Sequence, residues 1–402
     1  MSGKQVKFCG LKLIAMLKDK EINQDEESMQ ADNMFNSTDE KKQKRILFII
    51  DDFLGGGAER VACRLLNRLC RNYQVYLVYF KGNAEAYFLE PAVYVIHIKS
   101  RNYEKAENNS ALKNNFFWHL NNYIDGFRKT ILIKKIKKHY QIDTTISFLK
   151  VGNMVNVLSG GRDKKIVSER MDPSKMPLGY YLCSRYSCFF ADCVVFQTKY
   201  VQGMYNDRVK AKSCIIPNPT EISCKVLRNR GRKIVAVGRL EKQKNHKLLI
   251  KAFSIFHETH PEYHLYIYGE GDLQEELLQA SEKCHVHGFV HFEGFRKNIH
   301  AAIADAEQFV LSSDFEGLSN ALMEAMMMGH ACISTDCAGS TEIIENEKNG
   351  LLVPVGDVHA LSEAMCRLSD DPVLRKRLGH EAALTAEDWN VDRIVDLWEN
   401  VL

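Results

Sequence analysis

The chain contains 402 residues, of which 45% are hydrophobic and 26% are charged. This length predicts two domains of about 100–200 residues each, and the composition is typical of a soluble globular protein. No stretch approaches the roughly 18 apolar residues of a membrane-spanning helix. The apolar run at residues 11–17 is interrupted by Lys12 and lacks a small-residue cleavage site, so we expect no secretory signal.

The twelve cysteines form no CxxC pair, which argues against a zinc knuckle or a dithiol redox site. Cys183, Cys188 and Cys193 are evenly spaced, but their spacing suits neither kind of site. We therefore expect buried thiols in a reducing compartment.

The net charge of +3 conceals an uneven distribution along the chain. Residues 1–40 carry a net −3, residues 41–212 carry +16 and residues 213–402 carry −10. The basic segment is expected to meet an anionic partner, which could be a membrane surface, a nucleic acid or a phosphorylated ligand. Nucleic acid is the least favoured because the sequence has no aromatic-rich basic groove or known reader motif.

Residues 1–40 are polar and show no sustained periodicity, so we expect a disordered tail with at most one short helix at residues 10–18. Order is expected from Arg45, where a continuous apolar run predicts a strand buried on both faces of a parallel sheet. Strands and helices then alternate, which predicts a doubly wound α/β domain over residues 41–220. The further strands are predicted at residues 75–80, 93–98, 144–148, 166–168, 194–196 and 214–216.

The alternation restarts after the turn signal Pro217-Asn218-Pro219 and a polar linker at residues 221–232. A second α/β domain is predicted over residues 221–402, and its last helix could pack back on the first domain. Ligands of such sheets bind at the carboxyl ends of the strands, so two facing domains would hold one ligand in the cleft between them. The strands are predicted at residues 233–237, 265–268, 290–292, 309–312, 332–334 and 351–353.

Three glycines, Gly55, Gly56 and Gly57, lie between the first strand and a helix. Glycines at such a junction let a ligand approach the backbone, and a helix N-terminus favours anions. The spacing is not GxGxxG, and no acidic residue ends the second strand as a ribose ligand would. A tight turn without a ligand is the alternative interpretation.

Arg239 and Lys244 follow the first strand of the second domain. Two cations at the mouth of a sheet suit a diphosphate, which an arginine can bind through two hydrogen bonds. The alternative is a solvated basic loop, but an arginine directly at the end of a strand is expected to face the cleft.

The motif DFEGLSNALMEA places Glu316 on a loop and Glu324 about one turn into a helix that Ser319 or Asn320 can cap. Both carboxylates can point into one cleft and bind sugar or ribose hydroxyls, while the backbone amides between them bind phosphate. Glu324 could instead be an exposed helical residue. Its neighbours are apolar, however, and a buried carboxylate normally has a partner.

In this order, the segments GGAER, VGRL…KNH and EGLSNALMEA resemble glycosyltransferase family 4, a family of retaining enzymes with the two-Rossmann-domain GT-B architecture. The resemblance spans residues 44–402 and is to members that assemble bacterial glycans. Its most diagnostic part is the Glu-x7-Glu motif, here Glu316 and Glu324. It implies an α/β fold of the GT-B type and metal-independent transfer of a sugar from a nucleotide diphosphate sugar, expected to be a UDP-sugar.

The resemblance also implies roles for individual residues. Arg239 and Lys244 would bind the donor's pyrophosphate. Glu324 would bind the nucleotide ribose, and Glu316 would contact the donor sugar. The other residues implied at the site are Gly56 and Gly57 near the phosphates and acceptor, Gly269 at a strand end, Phe295 in the loop that holds the base, and Gly317, Leu318 and Ser319 within the motif.

One position departs from the pattern of the family. Many members carry a histidine at the end of a first-domain strand, where this chain has Arg170 in the sequence Ser-Glu-Arg. Members that make bacterial surface and protein-linked glycans often show this variant. An arginine is a poor base because its pKa ordinarily stays above about 12, so we expect Arg170 to steady donor phosphate or sugar hydroxyls.

No metal site or other cofactor is expected. His285, His287 and His291 lie on or beside a predicted strand, but no carboxylate or cysteine completes a ligand set. The sequence has no Asp-x-Asp pair, so it does not support the divalent-metal route of the other main transferase architecture.

The basic segment at residues 128–139 predicts an amphipathic helix. Its apolar residues Leu132, Ile133 and Ile136 would share one face. A plain surface helix is one interpretation, and docking to anionic lipid is the other. The residues expected mostly on the opposite face are Lys134, Lys135, Lys137 and Lys138.

The leading hypothesis is a hexosyltransferase that moves a sugar from a nucleotide diphosphate donor to a hydroxyl of a glycan, expected to be lipid-linked. The resemblance implies a front-face route in which the leaving phosphate takes the acceptor proton. The expected location is the cytoplasm, peripheral on the inner face of the membrane. The alternatives are a sugar-nucleotide epimerase or hydrolase of the same fold, and a non-catalytic nucleotide-sugar-binding partner subunit.

Overall fold

The structure, a computed structural model, describes residues 43–54, 56–84, 87–100, 116–222 and 231–402. The predicted tail at residues 1–40 and most of the predicted linker lie outside these ranges, as does Gly55. Two parallel sheets organise the described residues. The first is built from strands that precede Ile216, and the second from strands that follow Arg232.

The strands of the first sheet are Arg45–Phe53 (β1), Gln74–Gly82 (β2), Val93–His97 (β3), Thr144–Phe148 (β4), Lys164–Glu169 (β5), Cys193–Phe196 (β6) and Ser213–Ile215 (β7). They lie in the order β3-β2-β1-β4-β5-β6-β7, and all of them are parallel. Residues 46–50 of β1 are fully buried. Alternate side chains of β1 enter cores on opposite faces of the sheet, which explains the continuous apolar run.

The second sheet repeats this topology. Its strands are Lys233–Val237 (β8), His264–Tyr268 (β9), Val290–Gly294 (β10), Gln308–Leu311 (β11), Ala331–Thr335 (β12) and Leu351–Val353 (β13). Their order is β10-β9-β8-β11-β12-β13, again with parallel pairing. Every predicted strand is present, with bounds that differ by a few residues at most. In both sheets the order reverses beside the first strand, which is where such sheets bind ligands.

Helices cover both sheets. Among those in the described part of the chain, none combines the length and the apolar character needed to cross a membrane. The helices are Gly57–Leu69 (α1), Phe116–His139 (α2), Lys150–Leu158 (α3), Leu178–Phe190 (α4), Lys199–Gly203 (α5), Asp207–Lys210 (α6), His246–Thr259 (α7), Gln274–Lys283 (α8), Ile299–Ile303 (α9), Asn320–Met327 (α10), Ala338–Thr341 (α11), Val358–Asp370 (α12), Pro372–Ala386 (α13) and Val391–Glu399 (α14).

The last helix, α14, packs into the core of the first sheet. Trp398 is fully buried there, with its ring 5.9 Å from that of Phe148. The chain thus passes between the sheets near residue 220 and again near residue 390. The two passages lie side by side, since Thr220 N donates to Trp389 O at 2.7 Å and Val391 N donates to Thr220 O at 3.1 Å.

Helix α2 buries its apolar face as predicted, but it does not place all of its lysines outside. Lys137 is buried, and its Nζ lies 2.9 Å from Asp163 Oδ2. Burial lowers the pKa of Lys137 to about 8. The prediction for Lys137 is wrong because this residue follows Ile133 by four positions and so shares its buried face. The lysines of the segment that are exposed are Lys134, Lys135 and Lys138.

Candidate active site

The carboxyl end of β8 leads into the loop that carries Arg239 and Lys244. Lys244 forms an ion pair with Glu316, which is buried. The Glu316 carboxylate also accepts a hydrogen bond from Ser313 Oγ at 2.7 Å and one from Gln243 Nε2 at 3.3 Å. Lys244 and Glu316, which the sequence assigns to the donor's pyrophosphate and sugar, therefore neutralise each other's charge. A bound phosphate would compete with Glu316 for Lys244.

Arg239 stands at the end of β8, as the sequence predicts, but its side chain is largely exposed. Its Nη1 lies 2.8 Å from Glu241 Oε1. An ion pair in solvent constrains a side chain weakly, so the Arg239 guanidinium can turn towards an anion at the mouth of the sheet.

Gly269 has a structural reason to be glycine. Its φ is +142°, and a Cβ at this position would lie 2.0 Å from Gly238 O. The ends of β8 and β9 can approach this closely only without a side chain. The absence of a side chain at Gly269 therefore lets the loop that carries Arg239 lie close to the end of β9.

The loop between Glu316 and Glu324 lies against the first domain. A Cβ on Gly317 would lie 3.3 Å from Arg170 O, across the cleft. Leu318 is buried in the core of the second domain. Ser319 Oγ caps helix α10 by accepting a hydrogen bond from Leu322 N at 3.4 Å, as the sequence predicts.

Glu324 is a buried carboxylate of the site that three basic side chains contact. Its side chain is 3% exposed, and Arg64 Nη2 lies 2.8 Å from its Oε1. Arg60 Nη1 and His300 Nε2 each lie 3.3 Å from its Oε2. Burial alone would raise the pKa of Glu324, but the hydrogen bond from His300 and the charges of Arg60 and Arg64 outweigh it and bring the pKa to about 2. Glu324 is therefore ionised at neutral pH.

Arg60 and Arg64 belong to a row of arginines that our sequence analysis missed. Arg60, Arg64 and Arg68 follow one another at four-residue intervals on helix α1, so they share one face. Arg64 also donates to Pro219 O at 3.0 Å and to Glu221 O at 3.3 Å. The four-residue spacing directly after the glycines was the available signal. It does not reveal the partner, which lies in the other domain.

A cavity of about 450 Å³ opens beside these arginines, within the size range of small-molecule sites. Residues of both domains line it. Phe295, which the resemblance implies near the base, is exposed at its rim, and its backbone N–H donates to Glu270 Oε1 at 3.3 Å. The lining residues are Arg60, Arg64, Tyr87, Phe88, Glu221, Ile222, Phe295, Lys297, Ile299 and His300.

Arg170 is buried at the junction of the two domains. Its guanidinium carbon lies 3.9 Å from the centre of the Phe148 ring, and its Nη1 donates to Asn218 Oδ1. Burial lowers the pKa of Arg170 to about 9. Among the described residues, its Nε and Nη2 have no hydrogen-bond partner. A buried cation with donors to spare is suited to an anion or to sugar hydroxyls.

Hydrogen bonds connect Arg170 to the glycines that follow β1. Asn218 Nδ2 donates to Asn320 Oδ1 at 2.5 Å, and Asn320 Nδ2 donates to Gly57 O at 3.2 Å. A Cβ on Gly57 would lie 2.8 Å from Asn320 Nδ2, so glycine permits this approach across the cleft. Gly56 instead turns towards its own helix, and its N–H donates to Glu59 Oε1 at 3.1 Å.

Several of the predicted residues thus fall into three groups. Lys244 and Glu316 form the first, Glu324 with the α1 arginines forms the second, and Arg170 with Gly57 forms the third. Within the described ranges, no group of three or more His, Cys, Asp or Glu side chains could hold a metal ion.

Comparison with known proteins identifies the chemistry. Residues 220–385 match the family model described as glycosyl transferases group 1. Together with the relatives described next, this match shows that the chain is a glycosyltransferase. The matched segment contains Arg239, Lys244, Glu316 and Glu324, whereas Arg60, Arg64 and Arg170 lie outside it.

Two relatives from Campylobacter jejuni align with most of the chain. One is N-acetylgalactosamine-N,N'-diacetylbacillosaminyl-diphospho-undecaprenol 4-alpha-N-acetylgalactosaminyltransferase, which is 28% identical and is aligned over 84% of this chain and 94% of its own. The other is a GalNAc-alpha-(1->4)-GalNAc-alpha-(1->3)-diNAcBac-PP-undecaprenol alpha-1,4-N-acetyl-D-galactosaminyltransferase. It is 26% identical over 88% of this chain and 97% of its own.

Solved structures agree with the observed architecture. Anabaena Alr3699/HepE in complex with UDP superposes with a TM-score of 0.74 at 15% identity, over 89% of this chain and 99% of that one. The lipopolysaccharide outer core galactosyltransferase WaaB superposes with a TM-score of 0.67 at 17% identity, over 89% and 98%. At these identities the similarity bears on the fold alone, and it confirms the predicted GT-B architecture.

Proposed function

We propose that this protein is a retaining glycosyltransferase of family 4 type that moves a sugar from a UDP-sugar to a hydroxyl of a lipid-linked glycan. The observation that carries the proposal is the ionised, buried Glu324 beside a cavity that both domains line. A carboxylate in this state can accept hydrogen bonds from both ribose hydroxyls. The full-length relatives, whose names specify undecaprenol-linked acceptors, support the choice of acceptor. The UDP bound in a structural neighbour supports the choice of donor.

The proposed mechanism assigns the leaving diphosphate to Lys244 and Arg239. The bond between the anomeric carbon and the donor phosphate oxygen breaks, and the acceptor oxygen bonds to the same face of that carbon. The acceptor proton passes to the leaving phosphate oxygen. Cations fixed beside the developing negative charge supply the electrostatic stabilisation that usually dominates catalysis.

Glu316 and Arg170 complete the proposed site around the sugar. Phosphate binding would release Glu316 from Lys244, which leaves its carboxylate available for sugar hydroxyls. Arg170 would direct its Nε and Nη2, which have no hydrogen-bond partner among the described residues, towards the donor phosphate or sugar. Its place beside Gly317 supports this role, because Gly317 lies between the two motif carboxylates.

A lipid-linked acceptor sets the proposed location. The enzyme would work at the cytoplasmic face of a membrane as a peripheral protein, and the +16 charge of residues 41–212 would favour an anionic surface. No metal is assigned to the reaction, so transfer should continue in the presence of a chelator.

The test is a transfer assay with UDP-sugars and a polyprenyl-diphosphate-linked saccharide, followed by mass spectrometry. We expect the acceptor to gain one sugar residue in an α-linkage, verified by NMR, with UDP released and with equal rates in EDTA. The Glu316→Ala variant is the matched control and should not transfer. Release of free sugar or a changed nucleotide sugar without acceptor would instead identify a hydrolase or an epimerase. Nucleotide-sugar binding without any turnover would identify the non-catalytic subunit.

A further inference from the structure

Helix α4 carries a row of exposed apolar side chains on the first domain. Leu178, Leu182, Tyr186 and Phe190 are 72%, 57%, 41% and 52% exposed. They recur every four residues, so they form one stripe along the outer face of the helix, about 18 Å from first to last. We refer to these four residues as the α4 stripe.

An ordinary helix on a sheet turns its largest apolar side chains to the core, whereas α4 leaves several of them exposed. The residues of α4 that are buried are Ser184, Ser187 and Cys188. Ser184 hydrogen-bonds to the buried Glu169, and Ser187 Oγ donates to Cys183 O at 3.0 Å. The inner face thus combines these hydrogen bonds with the packing of Cys188 in an apolar cluster, while the larger apolar side chains of the α4 stripe remain substantially exposed.

Several cations flank the α4 stripe, together with the exposed Asp192 and Asp207. Residues 173–191 contain no Asp or Glu, and Lys175 in this segment is exposed. Arg185 lies over the Tyr181 ring at 4.8 Å, and Arg208 of α6 lies over the Phe189 ring at 4.1 Å. Aromatic and apolar side chains flanked by cations are typical of helices that lie in the interface of an anionic membrane.

The α4 stripe begins beside the candidate active site. Helix α4 follows the loop after Arg170, and Tyr180 OH donates to Met171 Sδ at 3.3 Å. Helix α3 packs between α4 and α2, so the exposed Lys134, Lys135 and Lys138 of α2 belong to the same layer of helices. A surface that contacts both α2 and α4 would therefore lie next to the opening of the cleft.

We propose that the α4 stripe docks the protein on an anionic lipid bilayer. Leu178, Leu182, Tyr186 and Phe190 enter the boundary between headgroups and acyl chains, and the flanking cations bind lipid phosphates. A neighbouring cavity of about 270 Å³ between α4 and α6, which Tyr186, Phe190 and Val209 help to line, can receive part of an acyl chain. The choice of a bilayer over a protein partner rests on the charge complementarity and on the proposed function, which places the acceptor in a membrane.

The direct test is flotation of the full chain with vesicles of phosphatidylcholine alone or with 30% phosphatidylglycerol. We expect the wild-type protein to bind the anionic vesicles only. The combined L178S/L182S/Y186S/F190S variant should bind at least tenfold less, with unchanged UDP affinity and circular dichroism.

The control variant L278S/V373S/L384S removes exposed apolar residues of the second domain and should bind like the wild type. If the combined variant does not fold, L178S and L182S singly should each lower binding several-fold.

Several outcomes would overturn the proposal. They are equal binding by the wild type and the α4 variants, binding to neutral vesicles as strong as to anionic ones, and no vesicle binding at all. A wild-type dimer in sedimentation velocity that the α4 variant abolishes would assign the stripe to a second copy of this chain instead.

A transfer assay separates this proposal from the proposed function. With a short, water-soluble acceptor the α4 variant should match the wild type, and with a long-chain acceptor in anionic vesicles it should lose at least tenfold. If the wild type transfers to neither acceptor, the proposed function is wrong, and vesicle binding still decides the docking surface. If the α4 variant matches the wild type with both acceptors, the docking proposal is wrong and the proposed function stands.

Discussion

Arg64 of helix α1 and Glu324 of helix α10 form an ion pair between the two domains, with Nη2 2.8 Å from Oε1. Glu324 is the residue to which we assign the nucleotide ribose, so protein cations already surround this carboxylate before a donor binds. Arg64 is also held by two backbone carbonyls near the domain linker. Arg60 is held less firmly, because its side chain is 35% exposed and its contact with Glu324 is 3.3 Å. A ribose should therefore displace Arg60 rather than Arg64.

The first prediction concerns this competition. Arg60→Met should raise UDP affinity about 1.5- to 5-fold, because it removes a partly exposed ion pair worth about 0.2–1 kcal/mol. Arg64→Met should lower the thermal stability instead, because the buried carboxylate loses its nearest partner. Calorimetric titration with UDP and thermal unfolding measure the two effects. The control is Arg68→Met on the same helix, which contacts Glu221 and Asp392 rather than Glu324. Weaker UDP binding by the Arg60 variant would mean that Arg60 itself binds the nucleotide.

The second prediction concerns acid stability. The pKa of Glu324 lies at about 2, below its ordinary 4.5, so its stabilising contribution is complete above pH 4.5 and is lost as the pH falls towards 2. The loss amounts to about 1.4 kcal/mol per pH unit within this window. Between pH 5.5 and 3.5, the wild type should therefore lose about 1 kcal/mol more unfolding free energy than Glu324→Gln in denaturant titrations. The exposed control Glu275→Gln should follow the wild type. Parallel pH profiles of wild type and Glu324→Gln would contradict the pairing.

The sequence predicts the two sheets well because each strand coincides with a local apolar run, such as residues 46–50. It also predicts that Glu324 is buried, since its neighbours are apolar. It does not predict the partner of Glu324, because Arg64 lies 260 residues away and the contact depends on how two domains face each other. The pair of Lys244 and Glu316 lies within the second domain, 72 positions apart, and depends instead on the pairing of β8 with β11 in the sheet.

Two further features lie on single helices, of which the first was predicted wrongly and the second was not predicted. Lys137 could have been assigned to the buried face from its four-residue distance to Ile133. The exposure of the α4 stripe is harder to foresee, since the residues that α4 buries are small while Leu178 and Phe190 face outwards. The rule that apolar residues are inside assigns such a helix the wrong way round, and only the contacts of Ser184 and Ser187 settle its orientation.

The third prediction concerns the diphosphate. Arg239→Ala and Lys244→Ala should each weaken use of the donor by about 10- to 150-fold in kcat/KM, since each removes charge-assisted hydrogen bonds worth about 1.5–3 kcal/mol. Steady-state kinetics at limiting UDP-sugar measure the loss. Lys247→Ala is the control, because Lys247 lies three residues after Lys244, in the first turn of α7, but its exposed side chain pairs with Glu276. Wild-type rates in both variants would remove these residues from the donor site.

The fourth prediction separates the two glutamates of the motif. Glu324→Ala should weaken the binding of free UDP, because the ribose loses its acceptor. Glu316→Ala should leave UDP binding intact or improve it slightly, because Lys244 loses its competing partner, while transfer falls. Calorimetry with UDP and turnover with UDP-sugar measure the two properties on the same preparations. An equal loss of UDP affinity in both variants would be incompatible with the assignment of ribose and sugar.

The last prediction concerns Arg170, whose guanidinium is buried against Phe148 with two nitrogens unpaired among the described residues. If Arg170 must be charged to meet the donor, kcat/KM should fall as the pH rises through about 9, the pKa to which burial lowers it in the unliganded protein. The value of kcat should stay constant up to a higher pH, because a bound anion favours the charged form of Arg170. Arg170→Lys should not rescue activity, since an ammonium lacks the planar face that stacks on Phe148.

A purely structural role for Arg170 predicts a different pattern. The Arg170→Ala variant would then lose thermal stability and lower kcat/KM equally at pH 7 and pH 9.5. We expect instead that Arg170→Ala lowers kcat/KM strongly at pH 7 and removes the fall in kcat/KM near pH 9. The exposed Arg162→Ala serves as the control and should keep the wild-type profile. A wild-type kcat/KM that stays flat from pH 7 to pH 10 would exclude a charged Arg170 from donor recognition.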